Sequence, residues 1–263
     1  MNTVRTVSDT KRAFYNQHSR PINSIYRRVV EELMVEMHLL SVNADFAYDR
    51  FYALGIATSF DRFMTGYEPE RDKGSIFNAL CQSVFLEPEQ IRQDAEQLKT
   101  AIAERSLDEL KQLAAPSSEG SGGSGADDGV AAELQKIAAQ ENYKYSRLMA
   151  IGLYTLFETV DSEAMGDRKT REDLFEHLSS SLKISQDKLQ KDLELYRSNL
   201  DKMEQAQAVL KDILAADRKK RAEREKAKAA SGTESETASE PTDSKGEAEA
   251  AVEATQAQEP KSD

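Results

Sequence analysis

Apolar residues recur at helical spacing along almost the whole chain, and strict alternation of apolar and polar residues is hardly seen. A half-buried strand would alternate with a period of two, whereas spacings of three and four place residues on one face of a helix. With 39% hydrophobic residues among 263, the chain can bury a substantial core. The sequence therefore predicts an all-α helical bundle. The clearest run of such spacings comprises Ile22, Ile25, Val29, Leu33, Met37 and Leu40.

The same periodicity places the helices along the chain. Pro21 and Pro88 lie near two of the predicted starts, where proline is tolerated because the first backbone N–H groups of a helix have no partner within it. The predicted helices are residues 8–18, 22–42, 45–64, 74–85, 88–104, 106–114, 130–160, 170–182 and 185–229.

Two segments of the first half recur in the second half in the same order. Tyr48–Phe60 (YDRFYALGIATSF) and Tyr145–Phe157 (YSRLMAIGLYTLF) share Tyr, Arg, Ala, Gly, Thr and Phe, and Ile76–Asp94 similarly matches Leu174–Asp192. Either helical cores reuse the same few residue types, or the chain contains a duplicated helical unit. Under duplication, the glycines shared by the first pair, Gly55 and Gly152, let two buried helices approach closely.

Composition divides the chain into five parts. Residues 1–115 hold the N-terminal helices and the first unit, 116–129 form a Gly/Ser-rich flexible linker, and 130–217 hold the second unit with its long helix. Residues 218–230 form a charged helix extension, and 231–263 form an acidic tail predicted to be disordered. The linker matches G-x-G-x-x-G by letter, but no strand precedes it, so it does not predict dinucleotide binding.

The last predicted helix carries a coiled-coil-like seam. Its apolar residues are spaced alternately four and three apart, with one polar interruption at Gln207, and such a seam needs another helix to cover it. The helix that packs on this seam belongs either to the protein's own domain or to another chain. The seam consists of Leu189, Leu193, Tyr196, Leu200, Met203, Leu210 and Leu214.

Charge argues against nucleic acid as the main partner, and hydropathy argues against a membrane-spanning helix. The net charge is −12, and an acidic body is unsuited to neutralising nucleic-acid phosphates. The longest uncharged stretches, 51–60 and 148–157, are far shorter than the roughly 20 apolar residues that a membrane-spanning helix needs. The basic stretch 218–228 is a candidate for contact with anionic lipid, but Glu223, Glu225 and the acidic tail favour a solvated helix end.

No catalytic, cofactor or metal site is predicted. The three histidines are scattered and lack the E-x-x-H spacing of di-iron bundles. Glu32 and Glu36 lie one turn apart, a spacing more typical of salt-bridge partners than of a catalytic pair. Cys81 has apolar neighbours and is expected to be a buried thiol.

One polar and aromatic cluster is more suggestive. On a structural interpretation, Arg27 pairs with Asp61 across neighbouring helices and Tyr26 fills the core. On a functional interpretation, the cluster forms a polar face on which a partner docks. Both interpretations remain open. The candidate docking residues are Arg20, Tyr26, Arg27, Arg28, Asp61, Arg62 and Tyr67.

The N-terminal block resembles the thylakoid formation, or photosystem II biogenesis, proteins of oxygenic phototrophs. The resemblance is carried by TVSDTKRAFYNQHSRPINSIYRRVVEELMVEMHLLSVN from Thr6 and DRFYALGIATSFDRFMTGYEPE from Asp49. It implies a helical protein, peripheral to the thylakoid membrane, that is needed for photosystem II assembly or repair and is implicated in maintaining FtsH protease complexes. No transit peptide is recognised, so the chain resembles a cyanobacterial member on the cytoplasmic side of the thylakoid membrane and in the cytoplasm.

Two hypotheses follow. In the first, the protein is a non-enzymatic accessory factor that docks on thylakoid complexes such as FtsH and photosystem II assembly intermediates. In the second, it handles a lipid or pigment, or is an unrecognised enzyme, with a pocket between the duplicated helices around Gly55 and Gly152. A closely packed interior at those glycines would argue against the second hypothesis.

Overall fold

The structure, a computed structural model, describes residues 5–103, 105–113 and 129–232. Within these ranges the chain forms eleven helices and no strand, which confirms the all-α prediction. None of the described helices is both long enough and apolar enough to cross a bilayer. The helices are α1 Val7–Gln17, α2 Ser24–Ser41, α3 Arg50–Phe63, α4 Arg71–Gln82, α5 Pro88–Ile102, α6 Leu107–Leu113, α7 Gly129–Ala138, α8 Arg147–Val160, α9 Ser162–Gly166, α10 Arg168–Leu182 and α11 Gln186–Gly232.

Local capping explains why the first helices begin where they do. The Asp9 backbone N–H donates to the Thr6 hydroxyl at 3.2 Å, and the Thr6 backbone N–H donates to the Asp9 carboxylate at 3.1 Å. This capping box satisfies donors that the helix itself leaves unpaired. The Asn23 side chain caps α2 through the Ile25 N–H at 3.1 Å. Such short-range signals explain why these predicted starts are accurate to within two residues.

Helices α3 and α8 form the centre of the molecule. The ten residues from Phe51 to Phe60 are all buried, and so are the ten from Leu148 to Phe157. A helix that is apolar all round has no face for water and must be surrounded by other elements. The two longest uncharged stretches are therefore the innermost helices of the core.

The crossing of α3 and α8 depends on two glycines. A Cβ on Gly55 would lie 1.7 Å from the Leu148 carbonyl oxygen, and one on Gly152 would lie 1.9 Å from the Phe51 carbonyl oxygen. The predicted close approach is confirmed. Backbone fills the space beside both glycines, which argues against the pocket that the lipid, pigment or enzyme hypothesis placed around them.

Equivalent contacts support the internal duplication. The Tyr48 hydroxyl donates to the Asp94 carboxylate at 2.5 Å, and the Tyr145 hydroxyl donates to the Asp192 carboxylate at 2.9 Å. The two tyrosines are matched in the sequence repeat, and so are the two aspartates. In each unit, the same hydrogen bond therefore joins the tyrosine just before the central helix to an aspartate on the last helix.

The backbone repeats as well. Among the described residues, the only two non-glycine positions with positive φ are Phe85 at 64° and Lys183 at 56°, and these are equivalent in the repeat. Lys183 ends α10, and Phe85 lies in the turn that follows α4. Both adopt the left-handed region, which few non-glycine residues do. Reuse of common core residues would not place this backbone conformation at matched positions.

Two helix predictions were wrong. The predicted helix 130–160 is divided into α7 and α8, and the predicted helix 45–64 begins only at Arg50. In both places a polar residue caps the central helix: the Asp49 carboxylate accepts from the Tyr52 N–H at 2.7 Å, and the Ser146 hydroxyl accepts from the Met149 N–H at 3.0 Å. The extended residues before each cap carry the tyrosine that reaches the last helix. The short helix α9 was not predicted.

Two compact units are defined by contacts within the chain. Residues up to Lys211 belong to one unit, and the described part of α11 from Asp212 belongs to the other. The linker up to residue 128 and the acidic tail beyond residue 232 lie outside the described residues, so their predicted flexibility and disorder stay predictions.

Candidate docking surface

The predicted cluster separates into exposed arginines and buried tyrosines. Arg27 and Arg28 are exposed on α2, whereas Tyr26 and Tyr67 are buried with their rings edge to face at 5.1 Å. The Tyr26 hydroxyl donates to the Thr65 carbonyl oxygen at 3.2 Å. The tyrosines therefore support the core, as the structural interpretation held for Tyr26, and the arginines remain available to a partner.

The predicted pairing of Arg27 with Asp61 is wrong. Asp61 instead accepts two hydrogen bonds from the Arg92 guanidinium on α5, at 2.5 and 2.8 Å. Arg62 pairs with Glu158 on α8. Because the Asp61 carboxylate is paired with Arg92 on α5, it is not the partner of Arg27.

Arg20 also has a structural partner. Its guanidinium lies 3.0 Å from the carboxylate of Asp72, whose side chain is only 4% exposed. A buried carboxylate is costly without a compensating cation. Of the seven candidates, Arg20, Asp61 and Arg62 are thus engaged in ion pairs between elements.

Two depressions adjoin the outer face of α2. The first, here called the charged cleft, has a volume of about 880 Å³ and is lined from α1, α2, α8 and α11. The second, here called the α2–α11 groove, has a volume of about 680 Å³ and separates α2 from α11. Arg28, Glu32, Glu36 and Arg147 line both, so the two depressions form one continuous surface.

An ion pair across α2 and α8 marks the junction of the two depressions. The Arg147 guanidinium donates to one Glu36 carboxylate oxygen at 2.5 and 3.1 Å. Burial raises the pKa of the Glu36 carboxyl, and the Arg147 guanidinium opposes that rise. Glu32 pairs with Arg28 at 3.2 Å. Both acids therefore have salt-bridge partners, as the sequence spacing favoured.

The leucine seam is covered, at least in its first part, by the protein's own domain. Tyr196 packs edge to face on Phe63 at 5.8 Å, and Leu200 lies half-buried against the core. Leu210 is also half-buried, and the side chain of Leu214 is outside the described set. Coiled-coil packing stays a prediction. The seam residues fully buried in the core are Leu189, Leu193, Tyr196 and Met203.

Sequence reasoning missed the residues of this surface that come from the second half of the chain. Arg147, Lys188 and Asp192 line the charged cleft. The repeat contained a usable signal for Arg147, since the equivalent arginine of the first unit, Arg50, also lies in the first helical turn after the cap. What the sequence did not indicate is that α2 lies beside this turn.

Comparisons with known proteins identify the family. The family model described as "Thylakoid formation protein" matches residues 6–225. Protein Thf1 of Trichormus variabilis is 56% identical over 225 residues, which cover 86% of this chain and 95% of that protein. Protein Thf1 of Acaryochloris marina is 49% identical over 84% of this chain and 87% of its own length.

A solved structure agrees with these matches. The structure of Psb29 at 1.55 Å is 41% identical in sequence, covers 83% of this chain and 99% of its own, and superposes with a TM-score of 0.70. The match therefore extends over nearly all of that structure and over most of this chain. On sequence and structure together, the chain belongs to the thylakoid formation protein family.

Proposed function

We propose that the protein is a non-enzymatic accessory factor in photosystem II assembly and repair, which associates peripherally with the cytoplasmic side of the thylakoid membrane. It docks on membrane protein complexes, among them the FtsH protease, and stabilises them. Family membership supports the thylakoid setting. The observation that carries the docking mode is the continuous surface along α2, where arginines and carboxylates surround two adjoining depressions.

The chemistry of this surface favours binding over catalysis. Its half-buried acid, Glu36, pairs with Arg147. Glu31 and Glu32 pair with Lys11 and Arg28, and Asp192 accepts a hydrogen bond from Tyr145. Each of these carboxylates is thus engaged by a group of the chain itself, an arrangement typical of structural polar contacts. Exposed arginines, by contrast, are effective anchors for carboxylates on a partner protein.

The experiment is affinity purification of the tagged full chain from detergent-solubilised thylakoids. A variant with Arg27→Glu and Arg28→Glu tests the surface, and Arg71→Glu is the control, because the Arg28 and Arg71 side chains are both 83% exposed. We expect FtsH and photosystem II subunits with wild type and control, and at least a several-fold loss with the double variant. Recovery of neither complex with the wild-type chain, beyond an untagged background, would contradict the proposed function.

A further inference from the structure

The α2–α11 groove has the dimensions of a helix-binding site. Its lining extends from Ser24 to Glu36 on α2 and from Leu195 to Ala206 on α11. At 1.5 Å per residue, these walls are about 18 and 17 Å long, or roughly three helical turns each. The floor comes from α3 and α8, so the groove lies between two helical walls on a helical base.

The two walls run in opposite directions. At one end, Tyr26 of α2 and Gln207 of α11 both lie beside Gly66. At the other end, Glu36 and Leu40 of α2 line the charged cleft together with Lys188 and Asp192 of α11. Two antiparallel helices with a gap between them leave the position that a further helix of the bundle would fill.

The lining is mostly apolar and partly open to solvent. Leu195 is 44% exposed, and Ile25, Val29 and Phe63 are only half-buried. Exposed apolar surface inside a depression is typical of binding sites for amphipathic helices, whose apolar face removes it from water. Each square ångström covered in this way contributes about 25 cal/mol.

Two buried side-chain oxygens in the lining lack a hydrogen-bond partner in the part of the chain that the structure describes, one on Tyr196 and one on Ser59. The side-chain oxygen of Ser59 makes no hydrogen bond with the described residues, although Ser59 is only 2% exposed. Buried hydroxyls are normally hydrogen-bonded, and leaving one unpaired costs about 1–3 kcal/mol. A polar side chain on the occupant would satisfy this hydroxyl, which a hydrocarbon chain would not.

The rim supplies charge complementarity. Lys202 lines the α11 side and forms no ion pair with the described residues. Arg28, on the facing side of α2, is held only by the exposed Glu32, and an exposed pair of this kind contributes little. The rim therefore offers two cations to a carboxylate on the occupant.

We propose that the α2–α11 groove binds one amphipathic α-helix of a partner protein. The helix presents apolar residues three and four positions apart to the floor, one polar side chain to Ser59, and an acidic residue to Lys202. The proposal rests on the proposed function for the location of the partner, a thylakoid complex, but not for the chemistry of the helix.

The first step of the test identifies the occupant. The full chain is prepared with the photo-crosslinking residue p-benzoylphenylalanine in place of Leu195 and, as a control, in place of Phe85, which is 80% exposed and outside the groove. After irradiation in solubilised thylakoids, the attached peptide is sequenced. The expected product is one protein segment with helical apolar spacing and an acidic residue, obtained from position 195 only. Attachment of lipid, pigment or a second copy of this chain, the same product from both positions, or no product at position 195 would overturn the proposal.

The second step measures binding of that segment as a synthetic peptide to the purified full chain. Ala206→Trp fills the groove, and Ala208→Trp places the same side chain at an exposed position on the same helix. Lys202→Glu, in the groove lining, and Lys211→Glu, outside it, form a second matched pair. Their affinities for the peptide test the proposal if Ala206→Trp does not fold. We expect Ala206→Trp and Lys202→Glu to weaken binding at least ten-fold and the controls to leave it unchanged. Equal affinities within each pair would refute the proposal.

The two proposals fail in different ways. If Ala206→Trp, correctly folded, still co-purifies with FtsH and photosystem II subunits as the wild-type chain does, the groove is not the docking site, whereas the proposed function stands. If the wild-type chain recovers no thylakoid complex, the proposed function itself fails.

Discussion

Replacing Gly55 with alanine is expected to destabilise the protein, although alanine is the better helix former. The new Cβ would lie 1.7 Å from the Leu148 carbonyl oxygen, whereas real Cβ contacts essentially never fall below 3.0 Å. Helices α3 and α8 must therefore separate locally by about 1.3 Å, the difference between these distances. The obstacle is backbone, so no change of rotamer relieves it.

The magnitude follows from two opposing terms. Overpacking a core costs about 1–3 kcal/mol, and a clash with rigid backbone belongs at the upper end of that range. The gain in helix propensity from Gly to Ala is about 1 kcal/mol. A net loss of about 2 kcal/mol remains, which lowers the melting temperature of a domain of this size by roughly 4–8 °C.

The assay is urea and thermal unfolding followed by circular dichroism. Gly74→Ala is the matched control: Gly74 is exposed within α4, and a Cβ there meets nothing within 4 Å. The free energy of unfolding of the Gly74→Ala variant should rise by up to about 1 kcal/mol, because alanine has the higher helix propensity. Opposite signs for the two variants would support the close crossing. A Gly55→Ala protein as stable as the Gly74→Ala protein would refute the reasoning.

Three further results are expected. Tyr48→Phe and Tyr145→Phe should each lose about 1.5–3 kcal/mol in urea unfolding, since each removes a hydrogen bond to a carboxylate; no loss in either would contradict their shared role. Burial raises the pKa of Asp49 to about 6 from 3.8. Ionising this group therefore favours the unfolded chain, and the free energy of unfolding of wild type relative to Asp49→Asn should fall by up to about 3 kcal/mol between pH 4 and 6. A difference between the two proteins that does not change with pH would contradict the raised pKa of Asp49. Burial also raises the pKa of the Cys81 thiol to about 12, so Ellman's reagent should modify it only after unfolding, and rapid modification of the native protein would contradict its burial.

Much of the fold could be predicted because its signals are local or repeated. Helical periodicity specifies the class, and the glycines at matched positions mark the central crossing. The repeat identified Tyr48 with Tyr145 and Asp94 with Asp192 before their hydrogen bonds were known. These features need only the order of residues along the chain.

The candidate site was less predictable because it depends on how distant helices are rotated against one another. The sequence offers several arginines as partners for Asp61, and only the packing of α5 against α3 shows that the partner is Arg92. The groove likewise requires α11 to lie opposite α2, a placement that neither helix encodes by itself. The break before α8 was missed because apolar residues on both sides keep helical spacing while Ser146 acts as a cap.

Reconstitution from purified components tests the central claim most directly. The full chain and a purified thylakoid FtsH complex are mixed and separated by size-exclusion chromatography, with the Arg27→Glu, Arg28→Glu double variant run in parallel. The account predicts that the wild-type chain elutes with the complex in a fixed ratio and that the double variant elutes separately. Separate elution of the wild-type chain would contradict direct docking on FtsH, and equal co-elution of both proteins would contradict the surface along α2.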